Sequence, residues 1–137
     1  MDESTIADHA AKSLRIFLVE NHRDTREFVQ MYLEMLGHTV ESAGSMDEAL
    51  ATLPTANCDV LLSDIGLPDG DGWELLRQVQ DRLSRPVFAI AMSGFGMGAD
   101  QLKSKDAGYR HHLLKPIVPE QLQTILEEAT GKMHLDH

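Results

Sequence analysis

The sequence predicts a doubly wound α/β fold, a five-stranded parallel sheet with helices on both faces, and three observations carry this. Short apolar runs rich in strand formers alternate five times with helical patterns. The first, third and fourth runs are continuously apolar rather than alternating, which is how strands buried on both faces read. The 137 residues leave room for one sizeable core and not for two.

The first strand is expected over Leu14 to Glu20. A helix follows in which Val29, Tyr32, Leu33 and Leu36 share one face, and Gly37 suits its left-handed end. His38 to Ala43 reads as a second strand. Ser45 with Glu48 three residues on forms a capping box, and Ala49, Leu50 and Leu53 supply the apolar face of the helix it opens. Pro54 and Asn57 are expected to close that helix. Asp59 to Ile65 carries the third strand, followed by a turn-forming loop from Gly66 to Gly72.

A third helix is expected from about Trp73 to Leu83, with Leu76, Val79 and Leu83 on one face. Pro86 opens the fourth strand, Val87 to Met92, and a glycine-rich loop spans Ser93 to Gly98. A weakly amphipathic helix covers about Ala99 to Ala107 with Gly108 as its cap. Tyr109 to Leu114 is the fifth strand. Pro119 suits the first turn of the last helix, whose face is Leu122, Ile125, Leu126 and Ala129. The expected organisation is a flexible tail over 1–13, one domain over 14–130 and a polar, frayed tail over 131–137.

The net charge of −10, with 12 scattered basic residues, opposes direct nucleic-acid binding. No apolar run is long enough to cross a membrane, and residues 1–12 lack the basic-then-apolar order of a secretion signal. A cytoplasmic location is the expectation. A single cysteine, Cys58, excludes an internal disulfide, and its apolar neighbours mark it as a small buried hydrophobe rather than a reactive thiol.

In an open parallel sheet, ligands bind at the carboxyl ends of the strands. The first strand ends in Glu20-Asn21, the third in Asp64, the fourth in Ser93 and the fifth in Lys115-Pro116. Taken singly, each is a turn former, a helix cap or a surface charge. Together they place carboxylates, an amide, a hydroxyl and an ammonium at one edge, where a buried charge is costly unless paired. That set can enclose a small hard cation and an anion. Mg2+ suits it, because it takes oxygen ligands from a few carboxylates and a phosphate.

This constellation resembles the receiver domain of bacterial response regulators, which has the flavodoxin/CheY-like fold, and the stretch Ser63 to Gly72 looks like that family's phosphoacceptor loop. The resemblance covers roughly Leu14 to Glu128. It implies a two-component phosphorelay protein that is no enzyme toward a separate substrate. Asp64 would take a phosphoryl group from a phosphohistidine on a histidine kinase or a histidine phosphotransfer protein. Glu20, Asn21, Asp64 and the backbone carbonyl of Gly66 would hold Mg2+. Ser93 and Lys115 would bind the phosphoryl oxygens, and Lys115-Pro116 would be a cis peptide. An unidentified downstream protein would read the last two helices and the fifth strand. The phosphoacceptor loop also looks like those of receivers fused to hybrid sensor kinases.

Two positions depart from the family pattern. Asn21 stands where a second acid is usual. One negative charge fewer leaves the metal-loaded pocket at roughly +1 instead of about zero, which implies weaker metal binding before phosphorylation and a less strained phosphorylated state. His112 stands where the family often places an aromatic switch that moves with Ser93. It reads equally as that switch or as an exposed strand histidine. His22 reads as a loop residue near the site rather than a metal ligand, and Trp73 as a residue packed at the start of its helix rather than a functional one.

Rival readings are a Mg2+-dependent aspartyl-phosphate phosphohydrolase, a calcium loop and a degenerate receiver acting as a phosphorylation-independent interaction module. The first wants an acid two residues after Asp64, where Gly66 stands. The second, suggested by Asp69 to Gly72, lacks alternating ligands and a distal Glu. The third rests on Asn21 and is opposed by intact Asp64, Ser93 and Lys115.

Overall fold

The computed structural model describes residues 13–94 and 100–135. The expected tail up to residue 12, the glycine-rich loop over 95–99 and the last two residues lie outside them. Among the described residues the main sheet has five strands: β1 (Arg15–Val19), β2 (Thr39–Ala43), β3 (Val60–Asp64), β4 (Phe88–Ser93) and β5 (His111–Leu114). They alternate with α1 (Arg23–Met35), α2 (Met46–Ala56), α3 (Gly72–Val79), α4 (Asp100–Ala107) and α5 (Pro119–Leu135). The sheet runs β2-β1-β3-β4-β5 with every pairing parallel. Chain direction across the sheet reverses between β1 and β3, which opens a crevice at their carboxyl ends.

The two-residue period of a strand sorts the core into two halves. Phe17, Val19, Leu61, Ala89 and Ala91 face α2, α3 and α4, where they meet Leu53, Leu75, Val79 and Ala107. Ile16, Leu18, Val60, Leu62, Ile90 and Leu113 face α1 and α5, where they meet Val29, Leu33, Leu122 and Leu126. Cys58 is buried in the first half, and burial pushes its thiol up to about 11, so it stays protonated and inert at neutral pH.

Local signals act largely as expected. Ser45 caps α2 by accepting from the Glu48 amide at 3.2 Å, and the Glu48 carboxylate reaches back to the Gly44 amide at 3.1 Å. Gly37 and Gly108 take positive φ after α1 and α4. Three boundaries differ. Pro54 sits inside α2, which continues to Ala56 and closes on Asn57 in the left-handed conformation. Packing of Leu53 into the core outweighs the amide that Pro54 lacks. α3 ends at Val79 and tightens into a 3-10 turn over Gln80–Arg82, none of whose side chains is buried. α5 runs on through Gly131 to Leu135, past the point where the polar pattern ends it.

The loop after β3 folds on itself. Gly66–Leu67 pairs with Gly70–Asp71 in a small antiparallel ladder. Asp71 then caps α3, accepting from the Glu74 amide at 2.8 Å. A Cβ on Gly72 would stand 2.5 Å from the Asp64 carbonyl oxygen and 3.2 Å from Ile65 Cα, whereas one on Gly66 would meet nothing within 4 Å. Backbone atoms cannot swing aside as a flexible side chain can. Gly72→Ala is therefore expected to lower the unfolding free energy in urea by about 1–3 kcal/mol. Gly66→Ala should stay within about 0.5 kcal/mol of wild type. Equal losses in the two variants would contradict this packing.

Candidate functional site

The period of two decides which strand-end residues meet. Glu20 continues the parity of Ile16 and Leu18, Asp64 that of Val60 and Leu62, and Lys115 that of Leu113, so all three turn to the α1–α5 side. Glu20 is wholly buried and Asp64 nearly so. The Lys115 ammonium lies between them, 2.5 Å from Glu20 Oε1 and 2.7 Å from Asp64 Oδ2. The Lys115-Pro116 peptide that follows is cis.

Two buried carboxylates thus share one ammonium, and their titration reflects it. Burial pushes the Glu20 carboxyl up, but Lys115 and the His22 amide, which donates to Oε2 at 2.8 Å, outweigh burial and hold it below its ordinary value. Burial dominates at Asp64, where the pull of Lys115 is opposed by the Glu20 charge, and its carboxyl is raised. Burial lowers Lys115, but its two carboxylate partners more than reverse this, so it stays firmly protonated.

The turn that carries Glu20 and Asn21 is fastened by Arg26, whose guanidinium donates to the Glu20 carbonyl at 2.7 Å and the Asn21 carbonyl at 3.4 Å. Asn21 and Gly66 are exposed at the rim of the crevice. Glu20 Oε1 is fully buried yet makes no hydrogen bond among the described residues, its contact with Lys115 being an ion pair without hydrogen-bond geometry. An oxygen-rich donor set in which two buried carboxylates share a single ammonium fits a bound cation.

Ser93 and His112 lie on the opposite side of the sheet. Ser93 follows the parity of Ala89 and Ala91, and His112 pairs in register with Ala91. The Ser93 hydroxyl and His112 Nε2 are 2.5 Å apart. His112 Nδ1 lies 2.8 Å from the Ser104 hydroxyl, which accepts from the Trp73 indole N–H at 2.9 Å. His112 is half-buried rather than an exposed strand histidine. Trp73 packs at the start of α3, as its sequence position suggests, and also anchors this chain of hydrogen bonds.

Sequence reasoning missed three participants. Ser104 is buried within a polar helix whose pattern gives no sign of it. Asp69, a turn former in sequence, accepts from the Met46 and Asp47 amides at 2.8 Å each and so fastens the loop after Asp64 to the start of α2. Those amides hold its carboxyl below the ordinary value. His22 joins Glu20 and Asp64 in a group whose ligand atoms all lie within 4.8 Å of one another.

Fold and site together define a class: a doubly wound α/β domain with one charged crevice at the switch point, built from two carboxylates and a lysine. The family model described as "Response regulator receiver domain" matches residues 16–127, and the chain belongs to that family. Receiver domains are the signalling phosphoacceptors of two-component systems. The chain is 30% identical over 108 residues to the transcriptional regulatory protein ResD of Bacillus subtilis, covering 79% of this chain and 44% of that protein. It is 32% identical over 114 residues to the KDP operon transcriptional regulatory protein KdpE of Escherichia coli, covering 83% and 50%. It thus spans about half the length of these relatives.

Among solved structures it is similar to a CheY-like receiver domain protein of Methanospirillum hungatei, with TM-score 0.82, 27% identity and coverage of 91% and 99%. It is also similar to the receiver domain of a Pseudomonas aeruginosa sensor histidine kinase, with TM-score 0.77, 26% identity and coverage of 87% and 98%. That domain holds a magnesium ion in its active-site cleft.

The raised Asp64 carboxyl makes its charged form a cost to the folded state above the ordinary value of 3.8, and the cost disappears as pH falls below that value. Glu20 acts the other way, contributing stability above its ordinary 4.5 that is lost as pH falls through its lowered value. Asp64→Asn is therefore expected to raise the unfolding free energy at pH 7 by about 1–3 kcal/mol, the scale of an imperfectly satisfied buried charge. The gain should vanish below pH 3.8. Urea unfolding across pH checks both; a variant less stable than wild type at pH 7 contradicts the charge balance.

Proposed function

We propose that this domain takes a phosphoryl group from a phosphohistidine onto Asp64 and so switches a protein-interaction surface. The observation that carries the reading is the Lys115 ammonium held against both Asp64 and the buried Glu20 at the switch point. The donor would be a histidine kinase or a histidine phosphotransfer protein. An Asp64 carboxylate oxygen forms the new P–O bond as the P–N bond breaks, and the imidazole leaves with that bond's electron pair. Lys115, already 2.7 Å from the carboxylate, receives the charge of the incoming phosphoryl oxygens, and the Ser93 hydroxyl offers a second donor.

Glu20, Asn21, Asp64 and the Gly66 carbonyl are the residues that would hold Mg2+, which when bound neutralises charge on the carboxylates and phosphoryl oxygens. The magnesium in the related Pseudomonas receiver supports this assignment. Ser93 and His112 would form the switch, because the hydroxyl that meets the phosphoryl group is the one that His112 holds at rest. The receiver unit would occupy residues 14–130 of a cytoplasmic protein. The net charge of −10 argues for a protein rather than a nucleic acid as the downstream partner.

Intact-protein mass spectrometry after incubation with acetyl phosphate and Mg2+ tests the reading. Wild type is expected to gain one phosphoryl group, and the gain should be absent in Asp64→Asn and in the presence of chelator. Lys115→Ala should slow the gain by about a hundredfold or more. Phosphorylation of Asp64→Asn at the wild-type rate would overturn the assignment.

A further inference from the structure

The second acid usual in this site is missing, and its replacement, Asn21, is exposed. One residue further stands His22, which its sequence position places near the site as a loop residue. It is the N-cap residue just before α1, yet its side chain makes no capping hydrogen bond. Instead the imidazole turns back over the site, with Nδ1 3.3 Å from Glu20 Oε2. Two backbone contacts fix it there: its own amide donates to the same carboxylate oxygen at 2.8 Å, and Arg26 clamps the carbonyls of Glu20 and Asn21.

We infer that His22 is a metal ligand of this site, and that Glu20, His22 and Asp64 bind a first-row transition cation such as Mn2+ or Ni2+ more tightly than Mg2+. Geometry permits it. The three ligand atoms lie within 4.8 Å of one another. A cation with bonds of about 2.1 Å holds adjacent ligands about 3 Å apart and opposed ones about 4.2 Å apart, so closure asks for side-chain movements of about 1–2 Å, which the exposed imidazole can make. Charge calls for it. Two buried carboxylates face a single ammonium, which leaves one negative charge over. The exposed imidazole leaves an open approach for the ion.

Chemistry sets the preference. Mg2+ favours carboxylate and water oxygens, and this site has lost one such carboxylate to Asn21. An imidazole nitrogen adds little for Mg2+ but strengthens binding along the series from Mn2+ to Ni2+. The inference rests on the phosphoacceptor reading only for where the cation sits.

Pulsed electron paramagnetic resonance of the whole chain loaded with Mn2+, beside calorimetric titrations with Mg2+ and Ni2+, tests it. Wild type should show a directly bound nitrogen on Mn2+ that is absent in His22→Ala. His22→Ala should weaken Ni2+ binding about tenfold or more while moving Mg2+ affinity less than about twofold. Glu20→Gln and Asp64→Asn should each weaken Ni2+ binding too, which separates this site from the chain's other six histidines. A nitrogen signal retained in His22→Ala, no nitrogen on Mn2+ in wild type, no Mn2+ bound at millimolar concentration, or Ni2+ binding indifferent to Glu20→Gln and Asp64→Asn would each overturn the inference. None of these readouts uses phosphoryl transfer. Wild-type protein that gains a phosphoryl group with Mg2+ therefore leaves the phosphoacceptor reading standing when the nitrogen ligand fails.

Discussion

Two carboxylates sharing one ammonium at the buried end of a sheet is the constraint on which the rest of this molecule depends. Removing three charges from water costs several kcal/mol per ion unless their mutual attraction and further hydrogen bonds repay it. Here repayment is incomplete: Lys115 serves both Glu20 and Asp64, and one negative charge remains over. The three charges come from the ends of β1, β3 and β5 or just beyond, so the sheet must hold those ends in register for the cluster to form. The residual negative charge is what a cation would answer. The lysine placed beside Asp64 is what an incoming anion would answer.

The sheet separates two tasks by parity. Charges turn toward α1 and α5, while the hydroxyl–imidazole–hydroxyl–indole chain of Ser93, His112, Ser104 and Trp73 turns toward α3 and α4. The two sides meet where the Lys115 amide donates to the Ser93 carbonyl at 2.7 Å. A shift of Ser93 toward the crevice would therefore be felt directly by His112 and, through Ser104, by α4 and the start of α3. Elements on the far side of the sheet are thus linked to the charged edge by hydrogen bonds between named atoms rather than by proximity alone.

Rigidity around Asp64 comes from its neighbours rather than from its own loop. Asp69 ties that loop to the first amides of α2, Asp71 caps α3, and the Tyr109 hydroxyl donates to the Gly72 carbonyl at 2.6 Å. Gly72 is close against the backbone of Asp64 and Ile65, which no larger residue allows without displacement. A short, glycine-rich and polar loop is thereby held in one conformation by three separate elements.

The sequence by itself determined the fold class, the five strands, the capping of α2 by Ser45 and Glu48, and four polar residues at the carboxyl ends of the strands. Apolar periodicity and strand-end position are local signals, and Glu20, Asp64, Ser93 and Lys115 carry them in the linear text. Parity along each strand even contained the division that puts Glu20, Asp64 and Lys115 on one side and Ser93 and His112 on the other. Element ends were less legible: Pro54 stayed inside α2 because packing of Leu53 prevailed, and α5 ran past Gly131. Only the tertiary structure decided that Ser104 meets His112, that Asp69 caps a helix 22 and 23 residues away, and that His22 turns back over Glu20. Those contacts join segments whose separation in sequence bears no relation to their spacing in the folded chain, or depend on a rotamer set by surrounding backbone. No local pattern of residue types encodes either.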